Sequence, residues 1–574
     1  MPDKDIVRLI DVATGREHAD FVIKNAKIFN VFTGLFTEGD LAVDHGWIAG
    51  IGSYKGRKTH DAKGAWLTPG LFDGHVHIES GMVSPQEFAR CLVAKGTTTI
   101  IADPHEIANV AGTDGLQYIL DVTADLPLNV FIMLPSCVPA SPLEWGGARL
   151  TANDLAIFMN HPRVLGLGEM MNFPGVIYKD PEVMAKLRLM QGRQIDGHSP
   201  RLAGPELNAY AAAGIRNDHE CLTVKEARDR LELGLAVLMR QGSAARNLLN
   251  LLPAVDAHTA PFCLMATDDR HPEDLMTQGH INYLLRLAVN EGKLDTALAL
   301  KMATINGPIH FGLRHLGAIA PGFRADMALF PDLKNFEPSH VWKDGQLAAE
   351  NGHCLLPAAK YDDSRIKTPI RLNDVTAADF RVPATGSKIR VIGLIPGEIV
   401  TEHLTISPEP VNGCFVADPD NDLVKIAVLE RHRGSGGLAL GFLKGLGLKH
   451  GAVASTVAHD SHNLIIAGTN DEDMAVAASE IKRLGGGLAV ADQGRVIGSL
   501  PLPLAGLMAD QSMEKTAAAL AKLQDIVRGL GLVEGHDPFM TLAFMSLPVI
   551  PKLKLTEAGL VDVEKFEHVS LVFN

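Results

Sequence analysis

Between Leu67 and Pro308 the chain repeats one pattern: a short apolar run that ends in polar residues, then a stretch with helical spacing. The runs are LTPGLFDGHVH, TTTIIADPHE, NVFIMLPS, RVLGLGEM, QIDGH, GIRNDHE, AVLMRQGS and FCLMATDD. Short apolar runs bounded by turn residues read as strands, and strands alternating with helices read as parallel β-α units. Eight such units in succession predict a closed (β/α)8 barrel, an α/β fold. A barrel gathers the C-terminal ends of its strands at one mouth, so the polar residues that close these runs are the candidate functional residues.

The flanks have a different texture. Residues 21–66 alternate apolar and polar positions and are punctuated by Gly and Asn, as short antiparallel strands are. Strand texture returns at 317–346, in GAIAPGFRADMALF and HVWKDGQLA. The expected organisation is a small β-sandwich split over 1–68 and 309–365, the barrel over 69–308, and a third α/β domain over 366–574. The last region carries a helical stretch at 514–529 and a glycine turn at Gly485–Gly487. Three domains suit a chain of 574 residues.

Charge and cysteine content exclude several functions. The net charge of -14 argues against nucleic-acid binding, which needs clustered Lys and Arg. The 6 cysteines are far apart, with no CxxC pair, and read as reduced core residues. The N-terminal segment lacks an apolar signal core, and no run of about 18 apolar residues occurs, so no transmembrane helix and a cytoplasmic location are expected.

The strand ends supply chemistry in order. His75 and His77 stand two residues apart, and residues i and i+2 of a strand share a face, so both imidazoles can reach one cation. Glu169 ends the fourth run, His198 the fifth, His219 the sixth and Asp268 the eighth. Taken singly, His198 and His219 read more often as structural histidines, Glu169 equally well as a capping or ion-paired glutamate, and Asp268 otherwise as a helix N-cap. Jointly they form a set of imidazole and carboxylate donors that suits Zn, Mn or Fe. The number of ligands accommodates two divalent ions, which activate water and polarise an electrophile.

The string from Pro69 to His77, with Asp73, His75 and His77, resembles the opening of the amidohydrolase superfamily. GAIAPGFRADM, with Pro321, Gly322, Ala325 and Asp326, looks like that superfamily's return into its flanking β domain. ADPHEIANVAG at 102–112, DGHSPRLAGPELNAYAAAGI at 196–215 and ATDDRHPEDL at 266–275 resemble the adenine deaminase branch. So do GAVASTVAHDSHN at 451–463, GTNDEDMA at 468–475 and SLPLPLAGLM at 499–508, which look like the branch's own appended domain. The resemblance implies metal ligands at His75, His77, Glu169, His198, His219 and Asp268, with Mn or Fe ahead of Zn. Many superfamily members place a carbamylated lysine at the end of strand four; Glu169 stands there instead. Gln241 departs from the acidic residue expected at its position.

Hydrolytic deamination of adenine at C6 is then the expected activity, with a purine base as partner, and a homodimer is expected from the family. Asp268 is the candidate general base and acid, Glu220 the candidate proton donor to the ring nitrogen beside C6, and His219 belongs to the same catalytic group. Glu220 reads alternatively as an orienter of His219. Asp103, His105, Glu106, Asp269 and Arg270 are candidate substrate contacts, and Arg240 and Ser243 candidate pocket-lining residues. In the third domain, His459, Asp460, Ser461, His462 and Asn463 are adjacent in sequence, which is not triad geometry. Three readings are open for this segment: a loop fixing domain packing, a cover over the barrel mouth, or a separate site. Hydrolysis of a cyclic amide and a non-catalytic barrel scaffold are the competing functions. A zinc deaminase of the other fold is excluded, because it needs a CxxC.

Overall fold

A computed structural model of the chain describes residues 5–355, 361–367, 370–396, 398–533 and 537–574. All of the predicted barrel strands form. They are β1 (Leu71–Val76), β2 (Thr97–Ala102), β3 (Asn129–Leu134), β4 (Val164–Met170), β5 (Gln194–Gly197), β6 (Asn217–Asp218), β7 (Ala236–Arg240) and β8 (Cys263–Ala266). β1 to β5 pair in parallel in chain order, as do β6 to β8. Two seams close the ring. The Arg216 amide donates to Ile195 O at 3.0 Å between β5 and β6, and Val76 bridges in parallel to Asp268 between β1 and β8.

The runs are continuously apolar because each strand is buried on both faces. Leu238 and Leu264 pack inward with Phe72, Ile101, Phe131 and Met133. Their neighbours Val237, Met239, Cys263 and Met265 pack outward against the helices. This alternation is the two-residue period of the pleat. Phe311 and Leu316 join the interior cluster. The opposite mouth is left to polar residues.

The chain segments on either side of the barrel share a nine-stranded sheet. Strand Met327–Phe330 pairs antiparallel with Trp66–Pro69, so Ala328 faces Thr68. The return strand thereby lies directly against the strand that leads into β1.

The third region is built on another nine-stranded sheet, eight strands from Lys388–Leu394 to Arg495–Pro501 with Val572–Phe573 added beside the first, and with helices Asp471–Leu484 and Met513–Gly529. It is continuous with the barrel. One apolar cluster contains Val76, Val83 and Phe88 of the barrel together with Leu504, Met508, Phe539 and Leu542. The Ala509 amide donates to Met82 O at 2.9 Å, and Asn463 Nδ2 to Trp145 O at 2.9 Å.

Asp73 fastens the β1–β8 seam from behind. Its carboxylate accepts the amides of His75 at 3.2 Å and Thr267 at 3.1 Å, and His280 Nε2 lies 3.0 Å away. Replacing Asp73 with Ala leaves buried donors unmatched and should cost about 3 kcal/mol. The check is a lower denaturation midpoint in metal-free protein, where ligand loss cannot contribute.

Candidate functional site

The six proposed ligands converge at the barrel mouth. Glu169, at the end of β4, stands between two groups of imidazoles. Its Oε1 lies 3.6 Å from His75 Nε2 and 3.3 Å from His77 Nε2. Its Oε2 lies 2.5 Å from His198 Nδ1 and 3.2 Å from His219 Nε2. Asp268 Oδ1 closes the first group, 3.5 Å from His75 Nε2 and 3.0 Å from His77 Nε2. One carboxylate thus turns an oxygen to each of two nests of donors, the arrangement that lets a glutamate bridge two cations.

Local structure fixes these groups. The His77 ring is set by its Nδ1, 2.8 Å from Asp103 O. Tyr210 holds the ends of β4 and β5 together: its hydroxyl accepts the His198 amide at 2.9 Å and donates to Met170 O at 2.8 Å. Asp268 has a left-handed φ of 57°, which an aspartate tolerates better than most residues.

The donor set fits a metal. His75 Nε2 and both ring nitrogens of His219 are buried without a hydrogen-bond partner. Burial alone would lower the His75 pKa, but the nearby Asp268 and Glu169 carboxylates outweigh it and raise it to about 10. Burial likewise opposes ionisation of Glu169, yet His198 and His219 hold it well below the usual carboxylate range. The cluster therefore demands positive charge at its centre, which a divalent cation supplies.

Arg240, at the end of β7, balances the remaining acids. Its Nη1 lies 2.8 Å from Asp268 Oδ2 and also contacts Glu220 Oε1. Burial would push the Glu220 carboxyl up, but Arg240 holds it down. Glu220 is therefore ionised at neutral pH and can give a proton to a substrate only after receiving one.

The other expected contacts divide. His105, Glu106 and Asp269 border the cavity at the mouth. Asp103 does not; it accepts the Glu169 amide on Oδ2 at 2.9 Å and so sets the position of Glu169. Arg270 also stands away from the cavity. Its guanidinium donates to Gly279 O at 2.8 Å and Gln241 O at 3.1 Å and lies over Tyr283, bracing the loop after β8. Ser243 caps that loop, its Oγ accepting the His271 amide at 2.9 Å.

The third domain roofs the cavity. Ile399, His459, Asp460, Phe544, Leu547 and Ile550 line it from above. His459 Nδ1 lies 2.7 Å from Glu106 Oε1, and His462 Nε2 contacts Glu106 Oε2. The His459 ring stacks on Phe544 at 4.6 Å between centroids. The 459–463 segment is therefore the cover over the mouth, joined to the barrel through Glu106. The apolar roof residues had no sequence signal, since single apolar residues far from the barrel look like any core.

Comparisons with known proteins place the chain independently. Residues 66–348 match the amidohydrolase family, and residues 398–567 match the adenine deaminase C-terminal domain. Adenine deaminase 2 of Carboxydothermus hydrogenoformans is 54% identical over 566 residues, covering 99% of each chain. Adenine deaminase of Geobacillus kaustophilus is 46% identical, covering 98% of each chain. Among solved structures, an enamidase of the amidohydrolase superfamily is 20% identical, with a TM-score of 0.45 over 59% of this chain and 98% of its own.

Adding a methyl group next to the bridging carboxylate tests the cluster. A Cβ on Gly168 would stand 2.0 Å from Asp103 Oδ2, the group that holds the Glu169 amide. Gly168→Ala and Glu169→Gln should both lower metal content, measured by elemental analysis after equilibration with Mn, Fe or Zn. Gly168→Ala should retain part of it, because only the position of Glu169 is disturbed.

Proposed function

The chain belongs to the adenine deaminases of the amidohydrolase family, and we propose that its barrel mouth hydrolyses the C6–N bond of adenine, giving hypoxanthine and ammonia. The observation that carries this reading is the convergence of His75, His77, Glu169, His198, His219 and Asp268 beneath a roof made by the family's own C-terminal domain.

The six residues would hold two divalent ions, with Glu169 serving both. Mixed imidazole and carboxylate donors suit Mn and Fe, with Zn as the alternative. Such ions, when bound, lower the pKa of water towards neutrality and polarise the carbon under attack.

The protein's own groups manage the protons. Asp268 is ionised: burial opposes this, but Arg240, His75 and His77 hold its carboxyl well below the usual range. It is thus ready to accept a proton from the attacking water and to pass it to the leaving amine. Arg240 keeps Asp268 and Glu220 ionised in one charge network, and the attacking water gives up two protons over the full reaction, one through Asp268 to the leaving amine and the other to Glu220. Glu220 then delivers a proton to the ring nitrogen next to C6, which makes that carbon more electrophilic. His219, beside Glu220 and 3.2 Å from Glu169 Oε2, ties this network to the ligands. Glu106, Asp269 and His105 form the polar wall against which the base lies.

Ionised acids and a roofed pocket suit a small, flat, neutral substrate. Among the described residues no helix is long and apolar enough to cross a membrane.

Metal-loaded protein should release ammonia from adenine and leave dihydroorotate unchanged, followed by a coupled ammonia assay. The opposite preference would overturn the substrate assignment. Asp268→Asn should lower kcat by about a thousandfold, since general acid–base groups contribute about 10²–10⁴. Glu220→Gln should lose activity while keeping more metal than Glu169→Gln, because Glu220 is not among the proposed ligands.

A further inference from the structure

The roof presents one acid, Asp460, that has no hydrogen-bond partner for one of its oxygens among the described residues. Asp460 is 2% exposed and borders the cavity. Its Oδ1 lies 4.0 Å from His105 Nε2, beyond hydrogen-bond range, and its Oδ2 is buried without a partner. Burial pushes the Asp460 carboxyl up to about 6.

The loop around it does not give way. The His459 amide donates to Ala543 O at 2.9 Å, and Ser546 Oγ donates to His459 O at 3.1 Å. The His462 amide donates to Ala458 O at 2.7 Å, and His462 Nδ1 accepts the Ala458 amide at 3.1 Å. On its other side the loop is fastened to Glu106 through His459 and His462. Asp460 is thus held at the cavity wall, and one of its oxygens has no partner among the described residues. Leaving a buried polar atom unpaired is costly, and a ligand that supplies the missing donor recovers that cost.

The chemistry of the base names the donor. Adenine carries two kinds of N–H: the 6-amino group, and one N–H on the imidazole ring. Attack at C6 requires the amino end to face the cluster on the barrel floor. The imidazole N–H is then the donor left for a group on the roof. A nucleoside, or any purine alkylated at N9, lacks it.

We propose that Asp460 accepts the imidazole-ring N–H of adenine and is the residue by which this enzyme distinguishes the free base from 9-substituted purines. The assignment rests on the adenine reading above, and the C-terminal domain then contributes substrate recognition as well as a cover. A site built to hydrogen-bond an N–H rejects the analogue without it far more strongly than an apolar pocket rejects an added methyl group.

The test compares adenine with 9-methyladenine as substrates of metal-loaded wild type, Asp460→Ala, Asp460→Leu and Asp460→Asn. Wild type should strongly prefer adenine. In Asp460→Ala, kcat/KM for adenine should fall about tenfold or more, carried by KM, and the preference over 9-methyladenine should shrink by a similar factor. Asp460→Asn, which keeps one acceptor oxygen, should recover part of both. Metal content should stay at the wild-type level throughout. An unchanged preference in Asp460→Ala overturns the proposal, as does wild type that turns over both substrates equally well. If the Ala variant does not fold, Asp460→Leu, which also lacks an acceptor, decides in its place. Wild type inactive on adenine would instead refute the activity. In that case calorimetric binding of hypoxanthine against 9-methylhypoxanthine still reads Asp460: equal affinities in wild type overturn its role.

Discussion

A carboxylate buried among imidazoles sets the terms for the rest of the molecule. Glu169 lies within 3.6 Å of a nitrogen of His75, His77, His198 and His219, at a site almost closed to solvent. In such surroundings charge is expensive unless it is matched, and the matching must be geometric, because side chains there cannot reorganise as water does. The histidines come from three strand ends: His75 on β1 with His77 just beyond it, His198 directly after β5 and His219 directly after β6. Only a fold that brings strand ends to a common point can hold them so, and the closed barrel is that fold.

The same requirement explains the layers beneath. Asp103 and Asp73 take no place in the cavity, yet each fastens a ligand-bearing strand by accepting backbone amides. Arg230 does the same work one layer out. It lies 3.0 Å from Asp218 Oδ2, and its guanidinium also donates to Ser199 O at 2.6 Å and Leu202 O at 2.9 Å. Asp218 and Ser199 adjoin His219 and His198, so this buried pair holds the two histidine-bearing strand ends in register. Outer partners of this kind commonly decide how well a metal site performs.

The barrel was legible because its signal is repetitive and local. A strand buried on both faces writes a short apolar run, and a functional strand end writes a polar residue just after it. His75 and His77 were legible as a pair because the pleat has a period of two. Arg270 reads as a substrate contact because it follows Asp268 and Asp269 in sequence. A left-handed turn at Asp268 and hydrogen bonds to Gly279 and Gln241 carry its guanidinium elsewhere. Glu220 stands out in sequence as the neighbour of His219, but its charge state depends on Arg240, which is 20 residues away in sequence and adjacent only in the fold. The roof was the least legible part. Ile399, Phe544 and Leu547 owe their position to domain packing, which no periodicity records.

That roof changes what the appended domain is for. A barrel mouth alone is a bowl open to solvent, in which hydrogen bonds and charges are weakened by water. Here the lid is knitted to the bowl by charge-assisted hydrogen bonds. Glu106 of the barrel carries both His459 and His462, and those imidazoles outweigh burial to hold its carboxyl well below the usual range. Lys554 steadies the apolar side: its buried Nζ, whose pKa burial lowers to about 7, donates to Ile399 O at 2.9 Å and Phe544 O at 3.0 Å, two residues that border the cavity. Neither link has the form of a loose hinge, because breaking it would strand a buried polar group. The lid and the bowl are better understood as one chamber assembled from two domains. The pocket is then bounded as much by the wall added by the C-terminal domain as by the polar strand ends that the barrel supplies.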